Sequence, residues 1–199
     1  MRIAHQAEMS RIHLIRHGKT RANLEHLYCG RTDLPLCSQG IEELEKLSRA
    51  GPYPGADCFF TSGALRTEQT LALTYGVVKS EAILALMEYH FGEFEMKSYE
   101  QLKDLSSWQS WALDTNGEVA PPGGESRRAF AARIQAGFEQ VVCRLDGQNG
   151  AVICHGGVIA NLMEAFFPGE KNFYQWQPAC GRGYTLVLQK GRPVEYMAL

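Results

Sequence analysis

Short apolar runs alternate with helix-like segments along most of this chain, and that alternation restricts the fold more than any other feature. The runs IHLIR (12–16), ADCFFT (56–61), ILALM (83–87) and AVIC (151–154) have the length of buried strands, and YTLVLQ (184–189) and PVEYM (193–197) read as two closing strands. Between them, IEELEKLSRA follows Ser38 and stops at Gly51 and Pro52, while ALRTEQTLALTY ends at Gly76, where a helix C-cap belongs. Ser98 with Gln101 is a capping-box signature ahead of a short helix. After Ser126, the residues Phe130, Ile134, Phe138, Val141 and Leu145 recur at helical spacing, so 127–145 is the longest expected helix; 158–167 is the last. Such alternation predicts an α/β fold, a three-layer sandwich in which helices flank a central, mostly parallel sheet. The whole of 1–199 reads as one domain, with residues 1 to about 9 a loose extension and 88–123 a cap-like insertion over the sheet edge.

Composition narrows the class of partner. Twenty Lys and Arg against 22 Asp and Glu, with no long like-charge run, argue against a nucleic-acid surface or an anionic-membrane surface. No apolar run approaches the ~20 residues needed to cross a bilayer, and MRIAHQAEMS lacks the apolar stretch of a secretion signal. The six cysteines have irregular spacings and no C-x-x-C pair, which suits reduced thiols and a cytoplasmic protein.

Two places repeat one local design. LIRHG (14–18) and VICHGG (152–157) are apolar strands that end in a histidine and then a glycine. Ligands of open α/β sheets bind beyond the carboxyl ends of strands, so His17 and His155 can face one pocket. A single histidine there could merely close a turn; two in matched positions, one preceded by Arg16, point to a site. His13 and His17 stand four apart, as helical zinc ligands do, but in a strand that spacing is ~13 Å, too far for one ion. No metal and no cofactor is expected. The fork of Arg16 suits phosphate oxygens, and the turn at Gly18 leaves backbone N–H groups free to approach an anion. Arg66 falls in the first turn of the helix after strand 56–61, where the helix dipole also favours anions; its plainer reading is an exposed helix charge.

LIRHGKTRAN, SGALRTEQT, LMEYHFGEFEM, PPGGES and VICHGGVIANL, in this order, resemble the successive motifs of the histidine phosphatase superfamily, whose fold is phosphoglycerate-mutase-like. The resemblance spans roughly 12–190 and implies a metal-independent phosphomonoester hydrolase. It makes His17 the nucleophile that becomes phosphohistidine and places Arg16, Arg66 and His155 around the phosphoryl group, with Asn23 a further donor and Gly156 at the phosphate. It makes Glu88 the general acid, with His90 and Glu95 as weaker substitutes. A neutral imidazole is needed for attack on phosphorus, so the proton must sit on the other ring nitrogen, where the carbonyl of Gly18 is the expected acceptor. A bound phosphate dianion disfavours the charged form of a nearby carboxylate, so substrate binding helps to arm Glu88. Two departures are Lys19, where many members carry glutamate, and Cys154, where serine is frequent; Lys19 should add positive charge at the pocket rim, and Cys154 should be buried and inert.

Among members of that superfamily, YCGRTDLPLCSQG with FGEFEM is most similar to the α-ribazole phosphatase branch, which acts in assembly of the cobalamin nucleotide loop. Tyr89, Phe91, Phe94, Trp108 and Trp111 could line a pocket for a flat base or simply pack a cap. Arg31, Gln39 and Arg127 are candidates for the distal end of the substrate. A broad small-molecule phosphatase, acting on sugar phosphates or phosphoserine, is the main alternative. A phosphoglycerate-mutase-like enzyme is disfavoured by the short chain, and a regulatory phosphate binder by the retained acid. The expected partner is a small-molecule phosphomonoester, not nucleic acid or membrane; the oligomeric state stays open, a homodimer included.

Overall fold

The computed structural model describes residues 9–51 and 53–199. Six strands, β1 (Met9–Arg16), β2 (Cys58–Thr61), β3 (Ser80–Ala82), β4 (Gly150–Cys154), β5 (Gly183–Gln189) and β6 (Arg192–Ala198), form one sheet in the order β3-β2-β4-β1-β5-β6. The neighbours β3, β2, β4 and β1 run parallel, whereas β5 is antiparallel to β1 and β6 to β5. The helices are α1 (Arg21–Leu24), α2 (Ser38–Ala50), α3 (Leu65–Tyr75), α4 (Tyr99–Leu102), α5 (Ser106–Leu113), α6 (Arg127–Leu145), α7 (Gly156–Phe166) and α8 (Phe173–Trp176). The expected α/β sandwich with a mostly parallel sheet is the observed architecture. Among the described residues, no helix is long and apolar enough to cross a membrane.

Strand alternation sorts the core onto two faces. Leu14, Phe60, Val152 and Cys154 join residues of α6 and α7, including Phe130, Ile134, Val141, Val158 and Leu162, in one cluster. Ile15 and Ile153 point the other way and pack with Leu71 of α3, flanked by Tyr53, Phe59 and Tyr75. All five residues of β4 are buried, as expected of a central parallel strand covered by helices on both faces. The long helix starts where the sequence predicts, with the Ser126 hydroxyl accepting from Ala129 N at 3.2 Å. The capping box of Ser98 and Gln101 is present at α4.

Three expectations need correction. ILALM (83–87) is not a strand: the edge strand is Ser80–Ala82, and Leu84–Leu86 form a 3₁₀ turn. Ile83 and Leu86, three apart, enter the core while Leu84 is exposed, so the burial follows turn spacing and not alternation. The helix expected over 158–167 begins two residues earlier, with His155 as its N-cap. The expected loose extension lies outside the described residues except for Met9, which opens β1 by pairing with Gln189.

Register brings the chemistry to one edge. Arg16 pairs with Cys154, Thr61 with Ile153, and Thr61 with Ala82, so the carboxyl ends of β1, β4, β2 and β3 lie side by side. His17, His155 and Ser62 each follow immediately. Leu14 is almost fully buried in this central region; Leu14→Ala is expected to cost about 2–5 kcal/mol, read as a lower urea midpoint with an unchanged m value.

Candidate active site

His17 is held at both ends of its residue. Its N–H donates to Cys154 O at 3.0 Å, tying the two histidine motifs together. Its Nδ1 lies 2.7 Å from the carbonyl oxygen of Gly18. A carbonyl can only accept, so Nδ1 carries the proton and Nε2 keeps its lone pair. The Gly18 acceptor is the one predicted from sequence. Gly18 is itself anchored, its N–H donating to Thr70 Oγ1 at 3.0 Å.

His155 stands edge-on to His17, with ring centroids 5.2 Å apart. The Arg66 guanidinium is 3.3 Å from its Nδ1, and Ser62 Oγ is 2.7 Å from its Nε2. A guanidinium can only donate, so Nδ1 accepts and Nε2 donates to Ser62. Thr67 Oγ1 gives its own hydrogen to Ala64 O at 2.6 Å, so the Ser62 hydroxyl completes the series by donating to Thr67 across 3.3 Å. Burial, reinforced by the charges of Arg66 and Arg16, holds His155 well below 6.5. Burial and then Arg66 bring His17 down to about 3, with the Gly18 carbonyl opposing and Arg16 assisting. Both rings are neutral at pH 7.

Two arginines bracket the pair. Arg66 is only 1% exposed, which rules out the plainer alternative of an exposed helix charge. Besides His155 it donates to Gly30 O at 2.8 Å and Thr32 O at 3.1 Å, with Asp33 Oδ1 at 4.0 Å. Arg16 donates to Pro178 O at 2.8 Å, and its buried Nε has no partner. Gly156 opens the first turn of α7, where its N–H has no intrahelical acceptor; a Cβ there would come within 3.0 Å of the Arg16 guanidinium carbon. Arg16 and Asn23 line a cavity of about 460 Å³ with Lys19, His26, Ala179 and Cys180.

Glu88 reaches the same place from the other side. Its Oε2 accepts from Gly157 N at 2.9 Å and its Oε1 from Tyr89 N at 2.9 Å, which seats the carboxylate on the start of α7. The unpartnered Nε of Arg16, the start of α7, two neutral imidazoles and the buried Arg66 thus lie together at the strand ends, an arrangement suited to an anion, with the Glu88 carboxylate beside it.

The structure separates the other candidates. Asn23 uses Oδ1 to accept from Thr20 N at 2.9 Å and Thr20 Oγ1 at 3.0 Å, so only its amide nitrogen is available to a ligand. Glu95 is not a substitute acid: it accepts from Gly30 N at 3.0 Å, Arg31 N at 2.9 Å, Thr32 N at 3.2 Å and Thr32 Oγ1 at 2.8 Å, clasping the loop whose carbonyls hold Arg66. A Cβ on Gly30 would lie 1.7 Å from Tyr89 O, so this loop and the Glu88 segment touch backbone to backbone. His90 is spent on its own turn, Nδ1 accepting from Gly92 N at 3.1 Å. Arg31 has its backbone on Glu95 and a buried Nε without a partner, and burial together with Arg133 disfavours its charge. Gln39 binds Glu43 and Arg127 binds Trp111 O, which engages both elsewhere. Lys19 adds little free charge at the rim, since its ammonium lies 2.8 Å from Glu43. Cys154 is fully buried, which pushes its thiol up. Among the described residues, no group of three or more His, Cys, Asp or Glu could hold a metal ion.

Sequence reasoning missed Ser62, Glu125 and Arg133. Ser62 opens the SGALRTEQT motif and Glu125 sits in PPGGES, so a signal existed for both; Arg133 looks in sequence like any charge on a helix.

The lowered histidines have a consequence for stability. As pH falls below 6.5, the unfolded chain binds a proton at position 17 that the folded protein refuses until about 3, so stability is present at neutral pH and lost through that window. Urea midpoints of the wild type should fall between pH 7.5 and pH 5, and His17→Asn should flatten the slope by up to about 1.4 kcal/mol per pH unit. Equal slopes in both proteins contradict the burial argument.

The geometry now meets its relatives. Residues 12–194 match the pattern of the Histidine phosphatase superfamily (branch 1). The adenosylcobalamin/alpha-ribazole phosphatase of Salmonella typhimurium is 32% identical over 158 residues, 77% of each chain. A 2,3-bisphosphoglycerate-dependent phosphoglycerate mutase of Xanthobacter autotrophicus is 29% identical over 160 residues, 75% of this chain and 77% of that one. In three dimensions the alpha-ribazole phosphatase of Shigella flexneri superposes with a TM-score of 0.82 at 24% identity, covering 95% of this chain and 96% of the other. The chain belongs to the histidine phosphatase superfamily (branch 1) and is an enzyme acting as a phosphatase.

Proposed function

We propose that this phosphatase hydrolyses a small-molecule phosphomonoester through a phosphohistidine on His17, and that α-ribazole 5'-phosphate is its substrate. The observation that carries the chemistry is the hydrogen bond from His17 Nδ1 to the Gly18 carbonyl, which leaves Nε2 as a nucleophile beside two guanidinium groups. Nε2 attacks phosphorus as the ester P–O bond breaks, and Glu88 gives its proton to the departing alkoxide. The Nδ1 proton stays on the ring and the Gly18 carbonyl stabilises the charge that develops there. Arg16, Arg66 and the N–H of Gly156 neutralise and align the transferred group, with Asn23 donating at its edge, while His155, a neutral ring whose proton points to Ser62, holds the Arg66 guanidinium through Nδ1. Once the alcohol leaves, the Glu88 carboxylate takes a proton from water, which attacks phosphorus, breaks the N–P bond and releases inorganic phosphate. Neither half-reaction needs a metal.

The substrate rests on other grounds. Relatives named as alpha-ribazole phosphatases match at 32% identity. Residues 88–123 are read as a cap on a single domain, and the aromatic side chains of the cap and of the adjoining Tyr28 divide in two. Tyr89 and Phe94 are buried, which assigns them to packing, and Tyr89 accepts from Trp111 Nε1 at 2.9 Å. Tyr28 and Trp108, joined at 3.4 Å, are only partly buried and offer faces to a flat base. Arg31, with its free Nε, supplies a donor for the part of the substrate beyond the phosphate.

Labelled phosphate trapped by acid-free quenching should sit on His17, and His17→Ala should lower turnover by more than about 10³-fold, with no effect of chelator on the wild type. Adduct on any other residue overturns the mechanism. Glu88→Gln should lower kcat/KM for alkyl phosphates by about 10²-fold while sparing p-nitrophenyl phosphate, whose leaving group needs no proton. Among α-ribazole phosphate, phosphoserine, 3-phosphoglycerate and sugar phosphates, the first should lead in kcat/KM by about tenfold or more. A flat profile supports the broad phosphatase instead, and phosphoryl migration on 3-phosphoglycerate supports a mutase.

A further inference from the structure

Arg133 projects from α6 and spends its guanidinium on backbone. Nη1 donates to Ala85 O at 2.8 Å and Met87 O at 2.9 Å, and Nη2 reaches Glu88 O at 3.3 Å. The same group forms a fork with Glu125, Nη2 to Oε1 at 2.5 Å and Nε to Oε2 at 3.1 Å. Glu125 then continues to the far side of the acid: its Oε1 accepts from His90 N at 2.8 Å, and its own N–H donates to His90 O at 3.0 Å. Residues 85–90 are thus pinned before, at and after Glu88 by one ion pair.

That pinning matters because no regular secondary structure orders the backbone at Glu88. The 3₁₀ turn ends at Leu86 and the next begins at Gly92, so Glu88 lies on neither a helix nor a strand. Its carboxylate orientation depends on Tyr89 N and Gly157 N, and the first of these moves with the segment. Arg133 is mostly buried, and its guanidinium is spent on carbonyl oxygens and the Glu125 carboxylate. Buried guanidinium groups with several fixed acceptors are held in one geometry, which suits a brace.

We infer that Arg133, with Glu125, is a positioning residue for the general acid: its fork on the carbonyls of Ala85, Met87 and Glu88 fixes where the Glu88 carboxyl stands relative to the leaving oxygen. The inference rests on the reading of Glu88 as the acid. A brace acting through the acid differs from one that merely stabilises the fold, because only the former changes the response to the leaving group.

The test compares kcat/KM, which reports the steps up to transfer onto His17, for an alkyl phosphomonoester and for p-nitrophenyl phosphate. Arg133→Met should lower the alkyl substrate by about 10–100-fold, the scale of a misplaced catalytic group, and the aryl substrate by less than about threefold. Arg133→Lys and Glu125→Gln, which keep part of the network, should give smaller losses with the same selectivity, and they carry the test if Arg133→Met does not fold. In a Glu88→Gln background, Arg133→Met should add no further selective loss. Equal losses on both substrates, or selective losses that add to those of Glu88→Gln, overturn the inference. A Glu88→Gln enzyme that lacks alkyl selectivity overturns the acid reading itself, and the role of Arg133 falls with it.

Discussion

Two guanidinium groups, Arg66 buried and Arg16 partly so, have carbonyl oxygens as their main partners, and the rest of the site follows from that choice. Arg66 rests on Gly30 O and Thr32 O, and Arg16 on Pro178 O, so each keeps most of its charge uncompensated. A buried carboxylate partner would cancel the field, whereas carbonyls fix the geometry and leave the positive potential for an incoming anion. The carboxylate that might have paired with Arg66 is set one step back, at Glu95, where it orders the loop that supplies those carbonyls. Burial first, and then the same potential, suppress protonation of His17 and His155.

The hydrogen bonds around the histidines run in fixed directions. Carbonyl and guanidinium partners, which can only accept or only donate, assign the tautomers of both rings. On His17 this leaves Nε2 with its lone pair; on His155 it sends the proton toward Ser62 and Thr67. Preorganisation of this kind lets charge develop during transfer without rearrangement of the surroundings.

Much of this could be read from the chain. Matched strand–His–Gly motifs placed His17 and His155 at neighbouring strand ends, and the need for one protonated ring nitrogen pointed to the Gly18 carbonyl. Arg66 was found from its helix phase, although nothing local signals that it is buried. What escaped depends on contacts distant in sequence. Glu95 resembled a spare acid because its backbone donors come from residues 30–32, and Arg133 resembled a surface charge because its acceptors lie on 85–88. The segment 83–87 misled for a simpler reason: an apolar pentapeptide has strand composition, yet only register with β2 decides which residues pair, and these are Ser80–Ala82.

The backbone contact between Gly30 and Tyr89 carries a mechanical consequence. With no side chain between them, and with Glu95 grasping the same loop, the stretch from Glu88 to Glu95 cannot swing outward as a hinged door without dragging away the carbonyl cradle of Arg66. Loosening that one backbone contact would therefore be felt at the guanidinium cradle and at Glu88 together, because the two share a single support.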